Sequence, residues 1–127
     1  MTTPVLQQQL EERIDRELPH LTAEDRCTLA RIIERLVEAY QPDRIYLFGS
    51  KARGDCGPDS DFDLMVVVPQ TAEPSYRLAQ QAHSLLWDIG TAADILVWSQ
   101  HAFESRLHLK ASLPATIVRE GRLLYAG

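Results

Sequence analysis

The stretch that decides the fold is residues 47 to 68, Leu-Phe-Gly-Ser-Lys-Ala-Arg-Gly-Asp-Cys-Gly-Pro-Asp-Ser-Asp-Phe-Asp-Leu-Met-Val-Val-Val. One apolar run ends in the pair Gly49 and Ser50, and the next begins around the pair Asp61 and Asp63. A glycine lets the backbone approach phosphate oxygens, and a hydroxyl with the amides of a helix N-terminus holds them. Two carboxylates two residues apart on a strand suit a divalent cation. The stretch therefore indicates a nucleotide site with its metal.

The overall composition indicates one ordinary domain without a basic surface. The chain has 127 residues, 45% of them hydrophobic, which fits a single core. A net charge of −5 gives no electrostatic footprint for nucleic acid. Cys27 and Cys56 lie in unlike contexts, so no disulfide framework is expected. With no apolar signal region and no apolar run near twenty residues, we expect a cytoplasmic protein without membrane association.

Two amphipathic helices are predicted ahead of the motif. Apolar residues at every fourth position predict a helix from Val5 to about Leu18. Thr22 with Asp25 resembles a capping signal for a second helix, which runs to about Gln41. The stripes indicate core packing, although a narrow stripe on two helices could also serve a partner or self-association. We therefore expect one domain, with residues 1–42 forming a helical extension on a catalytic core of residues 43–127.

Strands are predicted on both sides of the motif and further along the chain. The apolar, β-branched runs are Arg44–Phe48, Phe62–Val68 and Ala93–Trp98. A helical pattern starts at Pro74, and Gly90 closes it. Residues 100–119 are predicted to be mostly helical with an interruption at Pro114, and Arg122–Tyr125 to form a short edge strand.

Three carboxylates are expected to meet at one end of the sheet. Asp61 and Asp63 project from the same strand face, about 7 Å apart. Asp94 lies near the start of the third strand and adds a third carboxylate if that strand neighbours the second. Two such charges 4 Å apart repel by roughly 4 kcal/mol at an effective dielectric of 20. The cluster therefore predicts a cation, and carboxylate ligands suit Mg²⁺ or Mn²⁺ better than zinc.

Cations follow the Gly-Ser pair directly. Arg53, one turn beyond Gly49, could reach a phosphate, and so could Lys51, of which we favour Arg53. Taken separately, Gly-Ser and Asp-x-Asp are common in solvated turns. Their joint occurrence between two predicted strands, with a third acidic strand behind, favours a functional site.

With both half-sites present, the sequence resembles the nucleotidyltransferase superfamily that includes DNA polymerase beta and kanamycin nucleotidyltransferase. More closely, it resembles the minimal nucleotidyltransferases, whose signature is Gly-Ser-x-Ala-Arg-Gly followed by Ser-Asp-x-Asp-Leu. The matching residues are Gly49, Ser50, Ala52, Arg53, Gly54, Ser60, Asp61, Asp63 and Leu64. The resemblance covers about residues 43–126 and includes Asp94 as the third carboxylate. It implies an α+β fold, a mixed β-sheet flanked by helices.

The resemblance also implies an activity and a partner. Gly49 and Ser50 would contact the triphosphate of ATP, Asp61 and Asp63 would hold two Mg²⁺, and Asp94 would complete the metal site or help deprotonate the acceptor. The reaction would move AMP to a hydroxyl. Members of this group are commonly paired with a HEPN-type ribonuclease toxin, which they neutralise by transferring AMP to a tyrosine. An antitoxin role is implied, with homo- and hetero-oligomers both open.

Two other functions stay open, and several residues are assigned to structure. The chain could be an antitoxin that blocks its partner sterically with an inactive site, or an antibiotic nucleotidyltransferase, which needs a further acceptor-binding domain. Arg77 and His83 have the spacing of a HEPN ribonuclease pair, but they lie on a helix between predicted strands and are interpreted as solvated. His20 is interpreted as a surface residue. Trp87 and Trp98, at apolar positions, are interpreted as core and left outside the site.

Overall fold

The computed structural model describes residues 4–54, 61–69, 75–91 and 93–127. In chain order the helices are α1 (Pro4–Glu17), α2 (Ala23–Tyr40), α3 (Ser50–Arg53), α4 (Ser75–Leu85), α5 (Gln100–Glu104) and α6 (Leu113–Glu120). The strands are β1 (Arg44–Phe48), β2 (Phe62–Val68), β3 (Ala93–Ser99) and β4 (Arg122–Ala126). In the part of the chain that is described, no helix is both long and apolar enough to cross a membrane.

The four strands form one mixed sheet in the order β3-β2-β1-β4. β1 is antiparallel to both β2 and β4, whereas β3 runs parallel to β2. β2 is therefore central, and its Val-rich run is buried on both faces, as its continuous apolar character predicted. The C-terminal end of β1 and the N-terminal ends of β2 and β3 meet at one end of the sheet. The predicted α+β fold, a mixed sheet flanked by helices, is confirmed.

The two faces of the sheet have different covers. Side chains alternate along β2, so Leu64 and Val66 enter the larger core cluster, which also contains apolar residues of α1, α2 and α4. Met65 and Val67 face the other way and pack with Phe103 of α5. Asp63 belongs by alternation to this second face. The smaller helices leave the end of that face, where Asp63 lies, open enough for a site.

The two N-terminal helices follow their sequence signals closely. The stripe of α1 is buried at Leu10, Ile14 and Leu18, which all belong to the larger cluster. Thr22 is the N-cap of α2, and its hydroxyl accepts a hydrogen bond from the backbone N–H of Asp25 at 3.0 Å. These helices pack against the sheet residues through one shared cluster, so their apolar stripes serve the core.

The connection from α4 to β3 differs in detail from its prediction. The predicted helix start at Pro74 lies outside the described residues. The helix ends at Leu85, and a separate 3-10 turn, Trp87–Ile89, follows it. Gly90 then adopts the left-handed conformation with φ 71°, as its expected closing position required. Leu86 continues the buried stripe of α4, and Trp87 beside it is exposed.

The segment after β3 is mostly helical as predicted, but its interruption lies at a different place. Two short helices, α5 and α6, are joined by turns. Pro114 does not interrupt a helix, because it lies in the first turn of α6, where its missing N–H needs no partner. The hydroxyl of Ser112 caps this helix and accepts from the backbone N–H of Ala115 at 3.2 Å. The predicted edge strand is confirmed as β4, which also holds the chain to the start of β1 through a hydrogen bond from Gly127 N–H to the Asp43 carbonyl, 2.9 Å long.

Candidate active site

The turn after β1 brings the backbone against a carboxylate. Gly49 has φ 78° and ψ −161°, a conformation that side chains disfavour, and it is the N-cap of α3. A Cβ at this position would overlap the carboxyl group of Asp63, whose Cγ would be 3.1 Å away. Ser50 begins the single turn of α3 immediately beyond. The phosphate turn and the first strand carboxylate predicted from the sequence are therefore in van der Waals contact.

The inner side of α3 is tied to the N-terminal helices. Lys51 is 3% exposed, and its Nζ lies 3.0 Å from Oδ2 of Asp25 and 4.8 Å from the ring centre of Phe62. The Lys51 carbonyl is 2.7 Å from Nε2 of His20. Lys51 therefore points away from the phosphate side, and His20 is more than a surface residue. Sequence spacing offered no signal for these contacts, since Lys51 and Asp25 come from different elements.

Two of the three carboxylates predicted to meet, Asp63 and Asp94, are neighbours in the sheet. Asp63 and Asp94 are direct partners in the parallel register of β2 and β3. Burial raises the pKa of Asp63 above its usual value, and the negative charges of Asp94 and Asp61 and a side-chain hydrogen bond with Asp94 raise it further. The positive charge of Arg53 acts in the opposite direction. Asp61, Asp63, Asp94 and Arg53 thus form one electrostatically connected group.

This group fits a hard divalent cation. Two neighbouring carboxylates repel each other when both are ionised, and a bound cation offsets that repulsion. The donors are all oxygen, which suits Mg²⁺ and not zinc. Among the described residues, no three His, Cys, Asp or Glu side chains already have the geometry of a metal site. Asp63 and Asp94 are therefore the ligands that the geometry supports first, and exposed Asp61 acts at longer range.

A cleft of about 490 Å³ opens beside the carboxylates. Asp61 and Asp94 form one wall, and His83, Trp87 and Thr91 contribute to the rest. The sequence interpretation of Trp87 as core is wrong, because its side chain is 87% exposed. Trp87 comes four residues after the exposed His83, so it lies on the solvent side of this segment.

The other tryptophan and the residues of α4 behave as interpreted. Trp98 is half-buried against the smaller core cluster, and the guanidinium of Arg106 lies 5.6 Å from its ring centre. Arg77 and His83 are exposed on α4, in agreement with their interpretation as solvated residues. Cys56 and Ser60 lie outside the described residues, and the described part of the predicted phosphate turn is Gly49 to Gly54.

The sequence of this chain matches a known domain family and a named relative. A family model described as the nucleotidyltransferase domain matches residues 29–123, which include the Gly-Ser turn and all three carboxylates. A protein from Methanocaldococcus jannaschii, provisionally named protein adenylyltransferase MJ0604, is 32% identical over 82 residues. That alignment covers 65% of this chain and 77% of the relative.

Two solved structures resemble the chain. A provisionally assigned nucleotidyltransferase from Sulfolobus solfataricus has a TM-score of 0.53 at 19% identity, covering 93% of this chain and 87% of the other, which shows the shared fold alone. A toxin-antitoxin structure with AMP-PNP has a TM-score of 0.48 at 26% identity, covering 76% of this chain and 73% of the other. A TM-score this low supports no inference about function.

Proposed function

We propose a function for this chain, which belongs to the nucleotidyltransferase domain family. It transfers AMP from ATP to an acceptor hydroxyl in a reaction that depends on Mg²⁺. The single observation that carries the proposal is the contact between two half-sites. The phosphate turn at Gly49 touches the carboxyl group of Asp63, which is itself paired with Asp94 across β2 and β3. A phosphate held at the turn would therefore lie beside the carboxylate pair.

The proposed roles follow from these positions. Gly49 and Ser50 bind the triphosphate, and Arg53 adds positive charge on the exposed side of α3. Asp61, Asp63 and Asp94 hold the metal, with Asp63 and Asp94 as its principal ligands. Bound Mg²⁺ would lower the pKa of the attacking hydroxyl and stabilise the charge on the leaving pyrophosphate. Lys51 has no direct role, because Asp25 holds it on the other side of α3.

The acceptor is proposed to be a tyrosine of a partner protein, a HEPN-type toxin. Two observations support this choice over a small molecule: the match to the signature of the minimal nucleotidyltransferases and the relative's provisional name, protein adenylyltransferase. An antibiotic would need a pocket that encloses it, whereas the cleft beside Asp94 is open. The chain would then act as an antitoxin by modifying its partner.

The test uses the chain with Asp61→Asn and Asp63→Asn together. Purified protein is incubated with labelled ATP, Mg²⁺ and a HEPN-type protein as the candidate acceptor, whose mass is then measured by mass spectrometry. We expect an added AMP with the natural chain and none with the double variant, whose fold is checked by circular dichroism. Label incorporation retained by the folded double variant would overturn the proposal. Full neutralisation of the partner by the same variant would support a steric antitoxin instead.

A further inference from the structure

The groups of the site lie in a row across the end of the sheet. Gly49 follows β1, Asp63 lies on β2 and Asp94 on β3, and these strands are neighbours in that order. Adjacent strands are about 4.8 Å apart, so the row spans about 10 Å. The cleft opens at the β3 end of this row, because Asp94 and Thr91 line it and Gly49 does not. The phosphate turn and the cleft are thus at opposite ends of the row.

The direction of the reaction distinguishes these two ends. In a phosphoryl displacement, the attacking and leaving oxygens lie roughly in line on opposite sides of the phosphorus. If the triphosphate tail lies against Gly49, the leaving oxygen faces β1 and the attacking oxygen must come from the β3 side. The nucleoside is attached to the same phosphorus through a third oxygen, which does not lie on the line between the attacking and leaving oxygens. The cleft is therefore placed for the acceptor.

Trp87 is presented to the cleft by a turn that is anchored on both sides. The guanidinium of Arg35, on α2, donates to the Leu85 carbonyl at 3.0 Å and to Oδ2 of Asp88 at 2.9 Å. These two residues flank Trp87, so the backbone that carries the indole is held although the indole itself is 87% exposed. A held, solvent-facing indole is a surface on which a planar ring can stack.

We propose that this cleft is the acceptor site and that Trp87 stacks on the phenol ring of the incoming tyrosine. The proposal rests on the proposed function and gives its acceptor a place. The phenol oxygen forms the new bond to the α-phosphorus, and the bond to pyrophosphate breaks with its electron pair going to pyrophosphate. The phenol proton passes to water in the open cleft. Trp87 is a specificity-determining residue and takes no part in the bond changes.

The kinetic test uses N-acetyl-L-tyrosinamide as the acceptor. Trp87→Ala should raise the KM for this acceptor about 3- to 10-fold, the size of a lost aromatic stack, while kcat and the KM for ATP stay unchanged. Trp87→Phe should restore most of the loss because a ring remains. Leu109→Ala is the matched control, since Leu109 is also an exposed apolar residue, 50% exposed, and does not line the cleft. An unchanged acceptor KM in Trp87→Ala would overturn the proposal.

A binding test keeps the proposal separate from the chemistry. The chain has two tryptophans, so its two indole N–H signals in an NMR spectrum can be assigned with Trp98→Phe. We expect N-acetyl-L-tyrosinamide to shift the Trp87 signal, and the non-hydrolysable analogue α,β-methylene-ATP to leave it in place. A shift with the nucleotide alone would make the indole a nucleobase platform and overturn the acceptor assignment, as would no shift with either. If the natural chain transfers no AMP, the proposed function fails, while this titration still decides the use of the cleft.

Discussion

Two charged clusters lie on opposite sides of α3, and only one of them is neutralised. On the inner side, the ammonium of Lys51 is buried and paired with Asp25 at 3.0 Å. On the outer side, Asp63 and Asp94 adjoin each other, and the pKa of Asp63 is raised by burial and by like charge. A fold gains nothing from such repulsion, so the outer cluster indicates function, whereas the inner cluster serves the scaffold.

The largest expected effect comes from the outer cluster. Asp63→Asn should lower AMP transfer about a thousandfold, as expected when a group organising the transition-state charge is lost. Without metal, the same change should raise the thermal midpoint at neutral pH. The raised pKa means that folded Asp63 holds its proton above 3.8, its ordinary value, so its ionisation opposes folding as the pH rises. The increase in thermal midpoint should therefore shrink as the pH is lowered towards 3.8. Thermal unfolding in EDTA at several pH values measures this change.

The inner cluster should respond in the opposite way. Asp25→Asn leaves the Lys51 ammonium buried without a counter-charge and should cost about 2 kcal/mol of unfolding free energy. Lys51→Met keeps the apolar stem and leaves a carboxylate whose side chain is 33% exposed, so about 1 kcal/mol is expected. Urea unfolding measures both variants. Equal costs for the two changes would contradict this, because the buried ammonium would then be no more costly to leave unpaired than the partly exposed carboxylate.

The close contact between Gly49 and Asp63 can be tested by replacing glycines with alanine. Gly49→Ala and Gly90→Ala both force a side chain to a positive φ, 78° and 71°. The left-handed backbone of Gly90 costs about 1 kcal/mol, whereas the ψ of −161° at Gly49 gives a conformation that only glycine adopts readily and costs more. Only at Gly49 would the new Cβ also meet the Asp63 carboxyl group, since nothing lies within 4 Å at Gly90. Gly49→Ala should therefore lose more stability, by about a further 1 kcal/mol, and most of its activity. Matching losses in urea unfolding would show that the close approach to Asp63 is relaxed easily.

The smallest effect is expected at the surface pair Arg35 and Asp88. Hydrogen bonds from the Arg35 guanidinium lower the pKa of the Asp88 carboxyl group to about 2, from its usual 3.8. A lowered carboxyl pKa gives stability that is present above pH 3.8 and is lost as the pH falls through about 2. Asp88→Asn should lower the thermal midpoint slightly at neutral pH and make no difference near pH 2. A difference that persists at that pH would assign the effect to the turn and not to the charge.

Local sequence patterns were sufficient for the strands and for one half of the site. The bounds of β1 and β2 agree with their apolar, β-branched runs, because such runs are typical of buried strands. The Gly-Ser and Asp-x-Asp pairs were found for the same reason, since each depends on residues close in sequence. The position of Asp94 could be given only conditionally, because strand order comes from tertiary packing and no local pattern carries it.

What the sequence missed lies where distant elements meet. The partner of Lys51 is on α2, so its direction could not be read from the single turn of α3. Trp87 was misassigned because its apolar character was considered without its position, which is off the buried stripe of α4. Residues 100–119 are mostly helical as expected, but the interruption lies in the turns between α5 and α6 and not at Pro114.

The pairing of β1 with β4 also bears on when the protein becomes competent during folding. Arg44 is opposite Ala126 in this ladder, so the two strands are brought together only by closing most of the chain into a loop. Helices and neighbouring strands form faster than such distant pairs. We expect β4 to dock late and to complete the hydrogen bonding of the strand that leads into Gly49. Nucleotide affinity should therefore be acquired as one of the last events of folding.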